Sequence, residues 1–220
     1  MLACLPAMVA GQVTAKPSTE LPAVATAALQ RSLEAAGAHA KHVWRDTPPT
    51  TVDGDVNAYV EIPRGDRRKW ELDMRKNARA IDRVMPAEVG GYPVNYGFVP
   101  QTVSYDGDPF DVLVLGPPLP GGRIVRGRIV GLMIMEDEKG ADSKVVVSPI
   151  GRGGKPTHEL TEAERNRIAE YFRRYKQHDP KTFSRVPGWG DTADGRAHVD
   201  MTHAFFLKCR DRANTTCRLE

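Results

Sequence analysis

Three aspartates within six positions, Asp106, Asp108 and Asp111 in the run SYDGDPFDVLVLG (104–116), lead directly into an apolar strand pattern. Carboxylates this close repel one another, and a folded chain tolerates them when cations neutralise the charge. A calcium loop of the EF-hand kind is excluded. Counted from Asp106, position 6 is Asp111 where glycine is needed, and position 12 is Pro117 where a bidentate glutamate is needed. A second acidic group, Asp137, Glu138 and Asp142 in MEDEKGADSK (135–144), surrounds Gly140 between two strand patterns. Alone it also reads as a solvated turn. Two such loops at strand ends of one barrel would converge on oxygen-preferring divalent ions. Mg²⁺ suits them, because it takes one or two carboxylates and completes its shell with water and phosphate oxygens.

The chain also carries the counterparts of a phosphate ligand. Lys69, Arg83 and Lys176 are cations, and Tyr92, Tyr96 and Tyr175 supply hydroxyl donors. Each has a plainer reading beside the chemical one: Tyr175 continues an apolar helix stripe, and GGYPVNYGFVP (90–100) reads as an aromatic loop. Residue types and spacing therefore reach metal-dependent phosphate chemistry and stop there.

The elements that must position these groups follow from periodicity. Val56, Ala58, Val60 and Ile62 alternate with polar or half-polar neighbours, the period of a half-buried strand. Gly65-Asp66 reads as a turn, after which Trp70, Leu72 and Met74 share one face and Lys69, Glu71 and Asp73 the other. A hairpin of these two strands would bring Glu61, Lys69 and Glu71 to a common polar face. Further strands are expected at 111–115, at 123–135 with Gly131 inviting a bulge, and at 144–148. Many central strands without alternating helices imply an antiparallel barrel or sandwich. Helices come late. Thr161 and Glu164 suggest a capping box before a helix carrying Ile168, Phe172 and Tyr175. A last helix is expected from about Thr192, with Ala197, Met201, Ala204 and Phe205 on one stripe.

The whole chain has 220 residues, 40% hydrophobic and 27% charged, which suits one domain with an extension. Its 31 basic and 28 acidic residues leave a net charge of +3. That balance admits an anionic ligand without demanding nucleic acid, and RGDRRK (64–69) reads as a solvated turn. No run of 18 apolar residues exists to span a membrane as a helix. Residues 1–41 are rich in Ala, Thr and Pro and read as an appendage with one helix at 22–36. Their start is ambiguous. LACLPAMVA (2–10) has the length of a signal-peptide core and VTA (13–15) resembles a cleavage site, yet no Lys or Arg precedes the core. Cys4, Cys209 and Cys217 follow no metal-ligand spacing and read as free thiols, with pairing of Cys209 and Cys217 as the alternative for an exported protein.

The motifs taken together resemble a known family. DGDPFDV (106–112) resembles the signature of the soluble family I inorganic pyrophosphatases, D-[SGDN]-D-[PE]-φ-D-φ with φ apolar. VEIPRGDRRKWELD (60–73), DRVMPAEVGGYPVNYGFVPQT (82–102), MEDEKGADSKVVVSP (135–149), YFRRYK (171–176) and GWGD (188–191) resemble its later segments in order, and HVWRD (42–46) its lead-in. GRGGKPTHEL (151–160) resembles the family little. The resemblance implies a pyrophosphatase domain over 42–218 that is mainly β with flanking helices: an OB-like, five-stranded, mostly antiparallel barrel with helices packed outside. It implies pyrophosphate as substrate, several Mg²⁺ ions, a cytoplasmic homo-oligomer (a hexamer in bacterial members), and no nucleic-acid or membrane partner. Export remains the alternative if residues 2–15 belong to a signal peptide. Carried over position by position, Asp106, Asp111, Asp137, Asp142 and Glu71 would serve the metals. Asp108 would take the proton of a metal-bridging water. Lys69, Arg83, Tyr96, Tyr175 and Lys176 would grip the phosphoryl groups, with Glu61, Tyr92, Glu138 and Lys144 in support.

Overall fold

The computed structural model describes residues 18–211 and 216–219; Cys4 and the signal-like stretch 2–15 lie outside the described residues. The chain begins with β1 (Glu20–Leu21), α1 (Ala23–Gly37) and the short α2 (Val43–Asp46). Strands β2 (Val56–Ile62), β3 (Arg68–Asp73), β4 (Ala78–Val84), β5 (Asn95–Phe98) and β6 (Asp111–Val114) follow. Next come β7 (Arg123–Asp137), β8 (Gly140–Ala141), β9 (Lys144–Pro149) and α3 (Glu162–Arg174), and finally β10 (Ser184–Gly190), α4 (Thr192–Cys209) and β11 (Cys217–Arg218).

Five strands close on themselves. β7 pairs with β2, β2 with β5, β5 with β6, β6 with β9, and β9 returns to β7. Only β6 and β9 run parallel within this circuit, so the mostly antiparallel five-stranded barrel is the observed architecture. The long β7 bends at a register shift between Ile129 and Gly131, where the sequence invites a bulge. Beyond that bend its second half also pairs with β10 and β8. Gly97 is required in β5, because a Cβ there would collide with the Tyr59 carbonyl of β2.

β6 and β9 read as continuous apolar runs because both of their faces are covered. Val112, Val114, Val145 and Val147 pack together with Val199 of α4. The alternate residues Leu113 and Val146 face a cluster with Ile168 and Phe172 of α3 and with Tyr175, which caps it. A third cluster joins Ala25, Leu29 and Ala36 of α1 to Trp44, Phe98, Phe205 and Phe206. Among the described residues no helix is long and apolar enough to cross a membrane.

Several expectations are corrected. β3 pairs with β4 in a separate two-stranded sheet, Lys69 opposite Arg83, rather than with β2. Both edges of β2 are already taken by β5 and β7, so β3 has no ladder to join. Glu61 still meets β3, accepting a hydrogen bond from the Leu72 N–H (2.6 Å). A strand, β5, lies inside the aromatic stretch read as a loop, and the GWGD motif (188–191) falls at the end of another strand, β10. Thr161 accepts from the Glu164 N–H, but the Glu164 carboxylate turns to Arg167 instead of completing a capping box. The complete box belongs to α4, between Asp191 and Asp194. The buried stripe of α4 is Gly195, Val199, Thr202, Phe205, Phe206 and Cys209; Ala197 is exposed, since the barrel approaches this helix at its glycine and valine side. Finally, Cys209 and Cys217 are not free thiols but a disulfide. β11 pairs with β1, Leu21 opposite Cys217, and this brings Cys217 back over the end of α4.

Candidate active site

One cavity of about 530 Å³ opens at the mouth of the barrel. The β3–β4 hairpin supplies Lys69, Glu71 and Arg83, and β5 with the segment before it supplies Tyr96 and Tyr92. Loop 104–110 brings Asp106 and Asp108, and the first residue of β6 is Asp111. The end of β7 and the turn after it contribute Asp137 and Glu138, the residue after β8 is Asp142, and Tyr175 and Lys176 follow directly on α3. Glu61 lines the floor. The structure thus brings all the sequence-predicted residues to one cavity except Lys144, which is buried behind its wall.

The ladder that places these groups is simple. Asp111 begins β6 opposite Phe98 of β5, next to Tyr96, and Lys144 begins β9 opposite Met133 of β7. Consecutive strand positions point to opposite faces, so Asp111 turns to the cavity while Val112 enters the core.

Charges in the cavity are heavily paired. Lys144 is only 1% exposed, and its Nζ donates to Asp111 (2.5 Å) and Asp142 (2.8 Å). Burial works against its charge, but the two carboxylates outweigh that and raise its pKa above the ordinary lysine range. Lys176 donates to Asp137 (2.6 Å) and Glu138 (2.8 Å). Lys69 pairs with Glu71, and Asp82 lies between Lys69 (3.6 Å) and Arg83 (3.1 Å).

Asp108 stands apart. Among the described residues no cation lies at ion-pair distance from it, and water still reaches its side chain. The cleft walls nevertheless strip its hydration, and Asp106, Asp111 and Glu71 repel its charge, so its carboxyl rises to about 7 despite the attraction of Lys139. Burial likewise lifts Glu61 to about 8. It also pushes Tyr92, Tyr96 and Tyr175 up, which keeps their hydroxyls protonated as donors. Asp142 is raised to about 7, because burial exceeds the pull of Lys144.

Sequence reasoning missed several members of the wall: Ser104, Lys139, His178, Asp179, Thr182 and, from α1, Ser32. Lys139 had a visible signal, a lone cation inside the second acidic loop; its Nζ lies 3.8 Å from Asp106. The others come from turns and from a helix outside every motif, and no spacing announces them.

A closed barrel with carboxylates, cations and buried tyrosine hydroxyls gathered at its mouth defines a hydrolase with a phosphate-compatible cleft. The family model described as Inorganic pyrophosphatase matches residues 58–206. The inorganic pyrophosphatase of Saccharolobus solfataricus is 35% identical over 159 residues, covering 69% of this chain and 92% of that one. That of Gluconobacter oxydans is 36% identical, covering 69% and 91%. The solved structure of the Thermus thermophilus inorganic pyrophosphatase superposes with a TM-score of 0.68 at 33% identity, covering 76% of this chain and 99% of that one. The chain belongs to the inorganic pyrophosphatase family.

Proposed function

We propose that the chain hydrolyses inorganic pyrophosphate to two phosphates, with Asp108 as the base. One observation carries this reading: acidic, basic and phenolic groups of the required types share a single small, polar cavity. Pyrophosphate has no apolar surface, so recognition must rest on charge and donor geometry. Lys69, Arg83 and Lys176, with the Tyr96 and Tyr175 hydroxyls, hold the phosphoryl oxygens and meet the charge that develops as the bridging P–O bond breaks. Water attacks one phosphorus, the other phosphate leaves, and Asp108 accepts the proton. A carboxyl titrating near 7 is suited to that exchange at neutral pH. Glu61, Tyr92, Glu138 and Lys144 keep the gripping groups in place.

Asp106, Asp111, Asp137, Asp142 and Glu71 form an oxygen-only donor set facing the cavity. Among the described residues no three of them close into a ready-made metal cage. That openness fits Mg²⁺, which takes few carboxylates and fills its octahedron with water and phosphate oxygens, better than Ca²⁺ with its six to eight ligands. When bound, Mg²⁺ supplies acidification of water and neutralisation of phosphate charge.

Phosphate release from pyrophosphate should require Mg²⁺, stop with chelator, and be inhibited by Ca²⁺. Activity that survives chelator, or that Ca²⁺ supports as well as Mg²⁺, would remove the multi-metal mechanism. By family resemblance the assembly is a homo-oligomer, with a hexamer as the expected number. For location, the Cys209–Cys217 disulfide supports an oxidising compartment over the cytoplasmic placement implied by resemblance. Intact mass of native material should then show a chain starting near Lys16 with the two cysteines oxidised. A full-length chain with free thiols would restore the cytoplasmic placement.

A further inference from the structure

Loop 104–110 carries both Asp106 and Asp108, and it is held from outside the barrel. Gly107, between them, is buried with φ +90°, a left-handed conformation that glycine adopts without strain. A Cβ at this position would collide with the Ala28 Cβ and lie 3.0 Å from the Cα and carbonyl oxygen of Ala25. Helix α1 therefore rests directly on the backbone joining the two aspartates. The loop is tight: the Gly107 N–H donates to the Ser104 carbonyl (3.0 Å), the Ser104 N–H to the Asp108 carbonyl (2.7 Å), and the Asp108 N–H to the Asp106 carboxylate (3.1 Å). A displacement at Gly107 must move both carboxylates.

Tyr105 fixes the loop as well, packed on the same cluster as Ala25 and Leu29 of α1. Its hydroxyl donates to the Ser18 carbonyl (2.7 Å), and its ring meets Phe205 of α4 edge-on with centroids 6.0 Å apart. α1 is itself anchored at both ends and near its middle. β1, just before it, pairs with β11, and the disulfide joins β11 to the end of α4. Gln30 donates to the Arg210 carbonyl. The Arg45 guanidinium donates to the carbonyls of Ala36 (2.8 Å) and His39 (2.9 Å). Ala25, Ala28 and Ser32 follow one another at helical spacings of three and four, and Ser32 lies on the cavity wall. All of α1 precedes residue 58, where the family match begins.

We propose that α1 is a positioning element of the active site: by seating Ala25 and Ala28 on Gly107 it fixes the placement of Asp106 and Asp108. The proposal rests on the pyrophosphatase reading for its substrate, but not for its metal-binding consequence. Small side chains are needed at the contact, since any larger group would lift the loop. α1 then acts through the two aspartates without touching substrate through Ala25 or Ala28.

The test titrates Mn²⁺ into metal-free, full-length protein, with free Mn²⁺ read by its electron paramagnetic resonance signal, alongside turnover of pyrophosphate. Ala28→Leu should weaken Mn²⁺ binding by about 10–100-fold, the usual effect of disturbing groups that orient metal ligands. It should lower kcat at saturating metal as well. Ala28→Ser, which keeps the contact small, should stay near wild type, as should Val24→Leu on the exposed face of the same helix. Tyr105→Phe, which removes the Ser18 bond and leaves the ring packed, should weaken Mn²⁺ binding in the same direction. The proposal is overturned if folded Ala28→Leu binds Mn²⁺ like wild type, or if Val24→Leu loses as much. Should Ala28→Leu fail to fold, the smaller intrusion Ala28→Val decides at the same contact, and wild-type Mn²⁺ binding by folded Ala28→Val overturns it. If wild type releases no phosphate from pyrophosphate, the functional reading fails while the Mn²⁺ titration still decides the role of α1.

Discussion

Asp108→Asn is expected to lower kcat for pyrophosphate by about 10²–10⁴-fold, the usual worth of a general base. The amide matches the carboxylate in shape but cannot take the proton of the attacking water. Little structural cost should accompany the change, because among the described residues no cation pairs with Asp108 and no hydrogen bond to its carboxylate holds the loop. Repulsion from Asp106, Asp111 and Glu71 would in fact be relieved. The variant should therefore melt no lower than wild type and still bind Mn²⁺. Steady-state kinetics beside a thermal melt checks both parts, and near-normal turnover would take the role away from Asp108.

Lys144→Met should destabilise the metal-free protein by about 3–5 kcal/mol, the cost typical of breaking a buried ion pair by removing one partner. Lys144 is almost wholly enclosed and is the shared counter-ion of Asp111 and Asp142. Its Nζ also lies over the Tyr96 and Phe172 rings, 5.7 and 5.8 Å from their centroids. Methionine fills that aromatic space, so the loss would report the two abandoned carboxylates rather than a hole. Urea unfolding in chelator measures the deficit. Repeating it with Mg²⁺ should recover part of it, because a divalent ion neutralises the same carboxylates. A deficit unchanged by Mg²⁺ would separate Asp111 and Asp142 from metal binding.

The fold was partly legible for identifiable reasons. Asp111–Val114 and Lys144–Pro149 read as strands because burial on both faces makes them continuous apolar runs. The bulge in β7 was visible as Gly131 interrupting a β-branched stretch. Alternation, however, names a strand without naming its partner, and so β3 was assigned to β2 although its ladder is with β4. β5 was hidden because its residues Asn95 to Phe98 sit behind Pro93 and include Gly97, both of which usually mark loops. The Cys209–Cys217 pairing was legible only as an alternative to free thiols, since what brings Cys217 back over the end of α4 is the meeting of β1 and β11 across nearly the whole chain. For the site, the two acidic loops and the tyrosine–lysine helix end carried enough chemistry to suggest phosphate. Naming the substrate needed the resemblance of whole motifs. Ser32 and the seating of α1 on Gly107 had no signal at all, because alanine and serine on a helix face announce nothing.

The closed circuit of strands divides the molecule by compliance. A ladder joined end to end has no free seam from which to unzip, and the 15-residue β7 is stitched to β2, β9, β8 and β10 along its length. Amides in its central part should exchange with solvent only when the barrel opens as a whole. The β3–β4 hairpin belongs to a separate two-stranded sheet and lacks that restraint. Asp111 and Asp142 thus stand on or beside a floor that melts all at once, whereas Lys69, Glu71 and Arg83 hang from a two-stranded awning tied to β2 through the Leu72–Glu61 bond. In such an arrangement Asp111 and Asp142 keep their spacing through any motion of the hairpin, which would carry Lys69, Glu71 and Arg83 together.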